Sequence, residues 1–318
     1  SQSEDDVCDL HHLTGLGLTI IATVPVGLIP RSLVVDAVTN RAYVANEGDG
    51  SVSIIDASNA LACTITLGGQ PWGVAVNPVT QRIYVTNSGW NTSVWVIDQT
   101  SNTVITTVTV GSGPQGIAVN SNTNRIYVAN FWSGTLSVID GASSSLLASL
   151  PVGTNPVGVA VNSTTNRIYV TNTNGNSVSV IDGLLNSVIA TVPVGQGPHG
   201  VSVNTATNRV FAANVNAGTV SVIDGTANSV VATVTVAFAP MCNGSNGTCY
   251  SFGVAANSTT NKIYASSKYM GRLSEIDGVT NSVTGQLNVG AGPYSIAIDE
   301  TSNSIYTANS SADTISII

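Results

Sequence analysis

Three histidines, four cysteines and a recurring pair of opposite charges are the residues of this chain with chemical potential. His11 and His12 end the acidic run D-D-V-C-D-L-H-H (Asp5 to His12), a donor-rich stretch whose spacing is too loose to define a metal site. His199 has no acid or nucleophile at a spacing that would make it a general base. Neither a phosphate-cradling glycine loop nor a nucleophile elbow occurs. The residues therefore predict no catalytic group, no metal, no cofactor and no enzymatic activity.

The cysteines point to oxidation rather than metal binding. Cys242 and Cys249 bracket the flexible C-N-G-S-N-G-T-C, which can close on itself as a disulfide. Cys8 lies near the N-terminus and Cys63 in the first repeat, and a bridge between them is feasible. An even number placed in loops and edges suits an oxidising compartment. Asn-x-Ser/Thr sequons at Asn91, Asn162, Asn243, Asn246, Asn257 and Asn309 agree with that, as glycosylation candidates. The chain begins at Ser1, as a mature secreted protein would, although a trimmed chain would begin the same way. We expect an extracellular or cell-surface protein.

Only 8% of residues are charged, about a third of the usual share, and the net charge is −8. With no basic cluster, nucleic acid and anionic membranes are poor partners. No apolar run is long enough to insert into a bilayer.

The elements that position these residues repeat. The phrase V-N-S-T-T-N-R-I-Y-V-T-N (Val161 to Asn172) returns in variants whose opening marker is Asp36, Asn77, Asn120, Asn162, Asn204, Asn257 and Asp299. A period of about 42 residues built from short apolar runs and turn residues signals a propeller. The reading is all-β: a seven-bladed β-propeller of four-stranded blades, a single domain over residues 18–318 after an N-terminal tail of residues 1–17. In the fourth copy, Val157–Val161, Arg167–Thr171, Val178–Ile181 and Ser187–Val194 read as strands from the axis outward. Leu18–Gly27 matches an outer strand without predecessors, and Thr314–Ile318 a third strand without a successor. The N-terminal strand therefore completes the last blade and closes the ring.

A base opens the second strand in six blades (Arg41, Arg82, Arg125, Arg167, Arg209, Lys262). An Asp closes the third (Asp56, Asp98, Asp140, Asp182, Asp224, Asp277). One hairpin brings both to the same rim, which predicts six ion pairs worth about 0–1 kcal/mol each. Strand direction sorts the remaining variation onto one face. The lead-in motif P-x-G places Arg31, Trp72, Gln115, Val157, His199, Phe252 and Tyr294 around the channel mouth. Hairpins on that face carry Glu47, Asp49, Trp90, Phe131, Trp132, Lys268, Tyr269 and Met270. Such an aromatic set either caps the channel and packs on neighbouring loops, or forms a binding or assembly face.

The phrases Y-V-T-N (Tyr84–Asn87, Tyr169–Asn172) and Y-V-A-N (Tyr43–Asn46, Tyr127–Asn130) resemble the YVTN-repeat β-propellers of surface-layer and secreted proteins. The resemblance spans about Leu18 to Ile318 and implies a seven-bladed extracellular propeller, often with a structural role; it carries no shared catalytic set. The expected function is a cell-surface structural protein that self-associates into a layer, sheath or filament through its loop faces and tail. Its partners would be copies of itself, glycans or cell-envelope proteins. The alternative is a secreted ligand-binding propeller, or a lactonase- or lyase-like enzyme using the aromatic mouth.

Overall fold

The computed structural model describes residues 17–236 and 253–318 as seven four-stranded antiparallel sheets. Blade 4 is Pro156–Asn162, Arg167–Asn172, Ser177–Asp182 and Ser187–Pro193, so the strand bounds read from sequence hold to within a residue. In the seventh sheet Ala22–Pro25 pairs with Thr314–Ile317, with Ala22 opposite Ile317, so the N-terminal strand does close the ring. The paired segment is shorter than Leu18–Gly27.

The second strand of every complete blade is buried almost end to end. It carries Tyr43, Tyr84, Tyr127 and Tyr169, each fully inaccessible. No blade owns its core. Ala160, Tyr169 and Val180 of blade 4 pack with Val203, Val210 and Ile223 of blade 5, and each of the other six gaps is filled the same way. Small residues such as Ala75 and Ala160 at the inner strand lie opposite the tyrosine of their own second strand, Tyr84 and Tyr169, and share its cluster with aliphatic side chains of the next blade.

The marker asparagine links the blades. The Oδ1 atom of Asn162 accepts the Thr164 and Thr165 amides of its own turn, while its Nδ2 donates across the gap to Asn208 Oδ1 at 2.9 Å. The same bond joins Asn77 to Asn124, Asn120 to Asn166, Asn204 to Asn261 and Asn257 to Asn303. All five acceptors hold left-handed backbone, φ 50–56°, a region asparagine tolerates better than most side chains. Between blades 1 and 2, Gln99 Nε2 donates to Asp36 instead. At the other end of the second strand, Asn172 Nδ2 donates to Ser177 and Ser179, and a Cβ on Gly153 would strike the Asn172 amide. The Gly and Asn of the repeat are thus a fitted pair.

These bonds correct three of the glycosylation candidates. Asn162, Asn257 and Asn309 are fully buried with Nδ2 committed, the last to Thr314 and Ser316, which leaves no room for a glycan. Asn91 is exposed, and Asn243 and Asn246 lie outside the described residues. Among the described residues Cys63 has no disulfide partner; it is half-buried in Leu61–Thr66, with Asn102 Nδ2 3.8 Å from its sulfur. Its expected partner Cys8, and the Cys242–Cys249 pair, lie outside the described residues.

The six expected rim ion pairs reduce to three among the described residues: Arg125–Asp140, Arg167–Asp182 and Arg209–Asp224, at 2.7–3.0 Å. Arg82 instead reaches across the gap to the Gly141 carbonyl. Lys262 is drawn to Glu275, a carboxylate where other blades carry Val138, Val180 or Val222. The aspartates are held mainly by their own turns. In Asp140, Asp182 and Asp224 it is foremost the following backbone amides that lower the carboxyl below 3.8, with the paired arginine a smaller cause.

Two outcomes are expected. Asn162→Leu removes a buried amide pair and strands Asn208 Oδ1. Urea unfolding should show a loss of about 1–3 kcal/mol, and no loss would remove the interblade bond from the account. Because the turn aspartates titrate below 3.8 in the fold, their stabilisation is complete above the unfolded value and disappears as pH falls through the folded ones. Asp182→Asn should therefore flatten the stability profile below pH 4 relative to the parent chain.

Candidate functional site

The lead-in motif works through a bulge. Each complete inner strand begins at its proline, and its pairing skips immediately afterwards, between Pro156 and Val159 in blade 4. A bulge re-aims the side chain it carries, here the variable residue, towards the axis. The glycine that follows lies against the next blade: a Cβ on Gly158 would run into the His199 carbonyl. Thr171 of the Y-V-T-N phrase then fixes the backbone of that mouth residue, its Oγ1 donating to the His199 carbonyl at 2.6 Å. Thr86 does the same for Gln115 and Ser266 for Tyr294. Sequence reasoning missed this role, although a hydroxyl or alanine always fills that position.

The mouth is a packed cluster. The Arg31 guanidinium lies 4.7 Å from the Trp72 ring centre and 4.9 Å from that of Tyr294, while its Nε donates to Glu47 at 2.5 Å. Trp72 meets Tyr294 edge-on at 5.8 Å, and His199 meets Tyr294 edge-on at 5.6 Å, with Nε2 3.4 Å from the phenol oxygen. Lys268 lies 5.8 Å from the Tyr294 ring centre. Burial, then the Arg31 and Lys268 charges, hold His199 down to about 4, so it is neutral at physiological pH. Burial and Arg31 lower Lys268 as well. Gln115 and Val157 complete the rim half-buried and buried; Phe252 lies outside the described residues. Beneath the cluster runs an axial cavity of about 440 Å³, walled by inner-strand valines and alanines, with Glu300 on the turn side.

The hairpin aromatics behave differently. Trp90 of blade 2 and Trp132 of blade 3 stack face to face, centres 5.2 Å apart and planes within 8°. Phe131 buttresses Trp132 edge-on at 4.7 Å. Trp90 stays 83% exposed and Trp132 54%. Tyr269 and Met270 are exposed at blade 6, and the fourth tryptophan, Trp95, belongs to the core between blades 1 and 2. The face is divided by charge. Arg31, Glu47, Asp49, Lys268, Arg272 and Asp313 cluster on blades 1, 6 and 7, and the loops of blades 2 to 5 on this face carry no Asp, Glu, Lys or Arg.

Fold and face together define a seven-bladed propeller with one variable, aromatic face. The NHL repeat family matches residues 154–181, the first three strands of blade 4. Among solved structures, a chain described as Kuenenia stuttgartiensis hydrazine synthase is similar over 95% of this chain and 99% of its own, with TM-score 0.78 and 18% identity, a likeness of fold. Comparison with curated proteins returns no match. The family match is thus to an NHL repeat over one blade, and it does not confirm the narrower YVTN resemblance.

The neutral histidine gives a test. Its folded value of about 4 lies below the ordinary 6.5, so as pH falls through 6.5 the unfolded chain takes up the proton first and stability drops until about pH 4. His199→Gln should abolish that part of the decline in thermal melts. Arg31→Ala should raise the His199 midpoint in an NMR titration, and an unchanged midpoint would contradict the assigned charge contact.

Proposed function

We propose that this chain is a non-catalytic, extracellular structural propeller that associates side by side with further copies of itself. One observation carries this reading: an uncharged apolar arc on the perimeter. Each outer strand of blades 2 to 5 is paired on one side only and bulges near its start, for example where Val180 and Ile181 skip a residue. The bulge turns two successive aliphatic side chains outward: Val104 and Ile105, Leu146 and Leu147, Val188 and Ile189, Val230 and Val231, each 37–51% exposed. Leu184 and Leu185, 82% and 69% exposed, extend the arc at blade 4. The four strands carry no charged residue. The arc fades at blade 6, whose strand reads S-V-T-G-Q-L-N.

Apolar surface of this extent favours contact with like surface, while the bulges disfavour open-ended strand addition. Side-chain packing between rings fits better than a merged sheet. The extracellular setting rests on the four cysteines and the scarcity of charge, and the YVTN resemblance adds the surface role. The non-catalytic reading rests on the mouth, where Arg31 is occupied by Glu47 and His199 faces a phenol.

Sedimentation velocity and electron microscopy should show concentration-dependent assemblies. The triple variant I105K/L147K/I189K should remain monomeric with an unchanged circular dichroism spectrum. A parent chain that stays monomeric up to its solubility limit would refute the proposal.

A further inference from the structure

The geometry points to the Trp90–Trp132 stack as a binding platform for a neutral, β-linked pyranose glycan. The platform is built rather than incidental. It bridges two blades, and backbone bonds lock the bridge: Gly113 N–H to Asn91 O at 3.0 Å, Phe131 N–H to Gly113 O at 2.9 Å and Trp132 N–H to Ser112 O at 3.1 Å. Ser133 Oγ accepts the Ser112 amide, and Asn155 Nδ2 donates to the Phe131 carbonyl. Trp132 lies directly over Gly113, where any Cβ would collide with its ring. Two hairpins are therefore tied in place to hold an indole, that of Trp90, which stays largely exposed among the described residues.

The surroundings select the ligand. One flat, rigid face offers no concavity for an aliphatic anchor, which is how protein partners usually concentrate their binding energy. The loops of blades 2 to 5 on this face supply amides and hydroxyls (Gln70, Asn91, Ser112, Ser133) and no charge, so an anionic or cationic ligand would find no counter-charge. Base stacking would suit the ring, but a nucleic acid needs phosphate contacts that the loops around the stack, without Lys or Arg, cannot give. A gluco-configured pyranose meets all of these conditions. Its axial C–H bonds make one face flat, apolar and slightly positive, complementary to the negative face of an indole. Its equatorial hydroxyls point outward to neutral amides. A β-linked chain presents successive rings in an extended ribbon that can lie across the two blades.

This site is independent of the perimeter arc, and the two can be tested apart. The protein is produced without glycosylation, so that Asn91 carries no sugar of its own, and run in native gels containing hydroxyethyl cellulose, glycol chitin or polygalacturonate. Retardation is expected in the first or second gel and not in the third, with a shift in tryptophan emission on adding cellohexaose or chitohexaose. Trp90→Ala should weaken binding about tenfold or more, and Trp90→Tyr should restore much of it. Val279→Ser, on the opposite face, should change nothing. The variant I105K/L147K/I189K should bind as the parent does, which separates glycan binding from assembly. Failure of the parent chain to bind either neutral glycan, binding undiminished in Trp90→Ala, or retardation by polygalacturonate alone would each overturn the proposal.

Discussion

Each blade shares both of its buried faces with its neighbours, and that constraint shapes the rest of the molecule. Tyr169 is inaccessible only because blade 5 covers it, and Val24 only because blade 1 lies beside the closing strand. An isolated blade would leave two apolar faces in water, so stability comes to the ring rather than to any sheet within it. Neighbouring blades must then meet in one register, and the asparagine bonds supply it. A dispersive core tolerates sliding, whereas the bond from Asn162 to Asn208 forms in one position alone. Asn208 takes the left-handed backbone that this turn also imposes at Asn40 and Gln81, and from it offers its amide oxygen to Asn162.

This division explains what the sequence reveals. The period, the strands and the closure at Ala22–Pro25 are legible because alternation, turn residues and marker spacing are local properties of the chain. Long-range partners are harder to read. The sequon at Asn162 describes three neighbouring residues, while the burial that excludes a glycan is set by Asn208, far along the chain. The expected ion pairs assumed that opposite charges at one rim seek each other. Asp98 instead takes amide hydrogens two and three residues away, which it meets without restraining a long side chain. Glu275 was invisible as a partner for Lys262 because the register sets Lys262 opposite Asp277, and the lysine reaches diagonally to the carboxylate two residues before it.

The mouth residues show the same limit. Strand direction places Arg31, Trp72, His199 and Tyr294 on one face, but their mutual contact depends on how far the bulge after each proline throws them inward. The second-strand hydroxyl, read from sequence as part of a fold signature, turns out to couple scaffold to site. Thr171 donates to the His199 carbonyl of the next blade, so the repeated phrase in one blade orients the variable residue of another.

The distribution of charge then separates the surfaces. A packed mouth with an internal ion pair and a neutral histidine has few groups left to offer a ligand. Blades 2 to 5 are uncharged both on the aromatic face and along the outer strands, and both regions expose large apolar groups. Charges are what ordinarily keep such surfaces apart in water. Their absence from the aromatic face and the outer strands of four consecutive blades, with six charged side chains of the aromatic face kept to blades 1, 6 and 7, gives that face an uncharged side and a charged side. A sevenfold scaffold cannot generate that polarity by itself. It arises from the positions where the repeat permits variation, which are the tips of the hairpins and the bulged start of each outer strand.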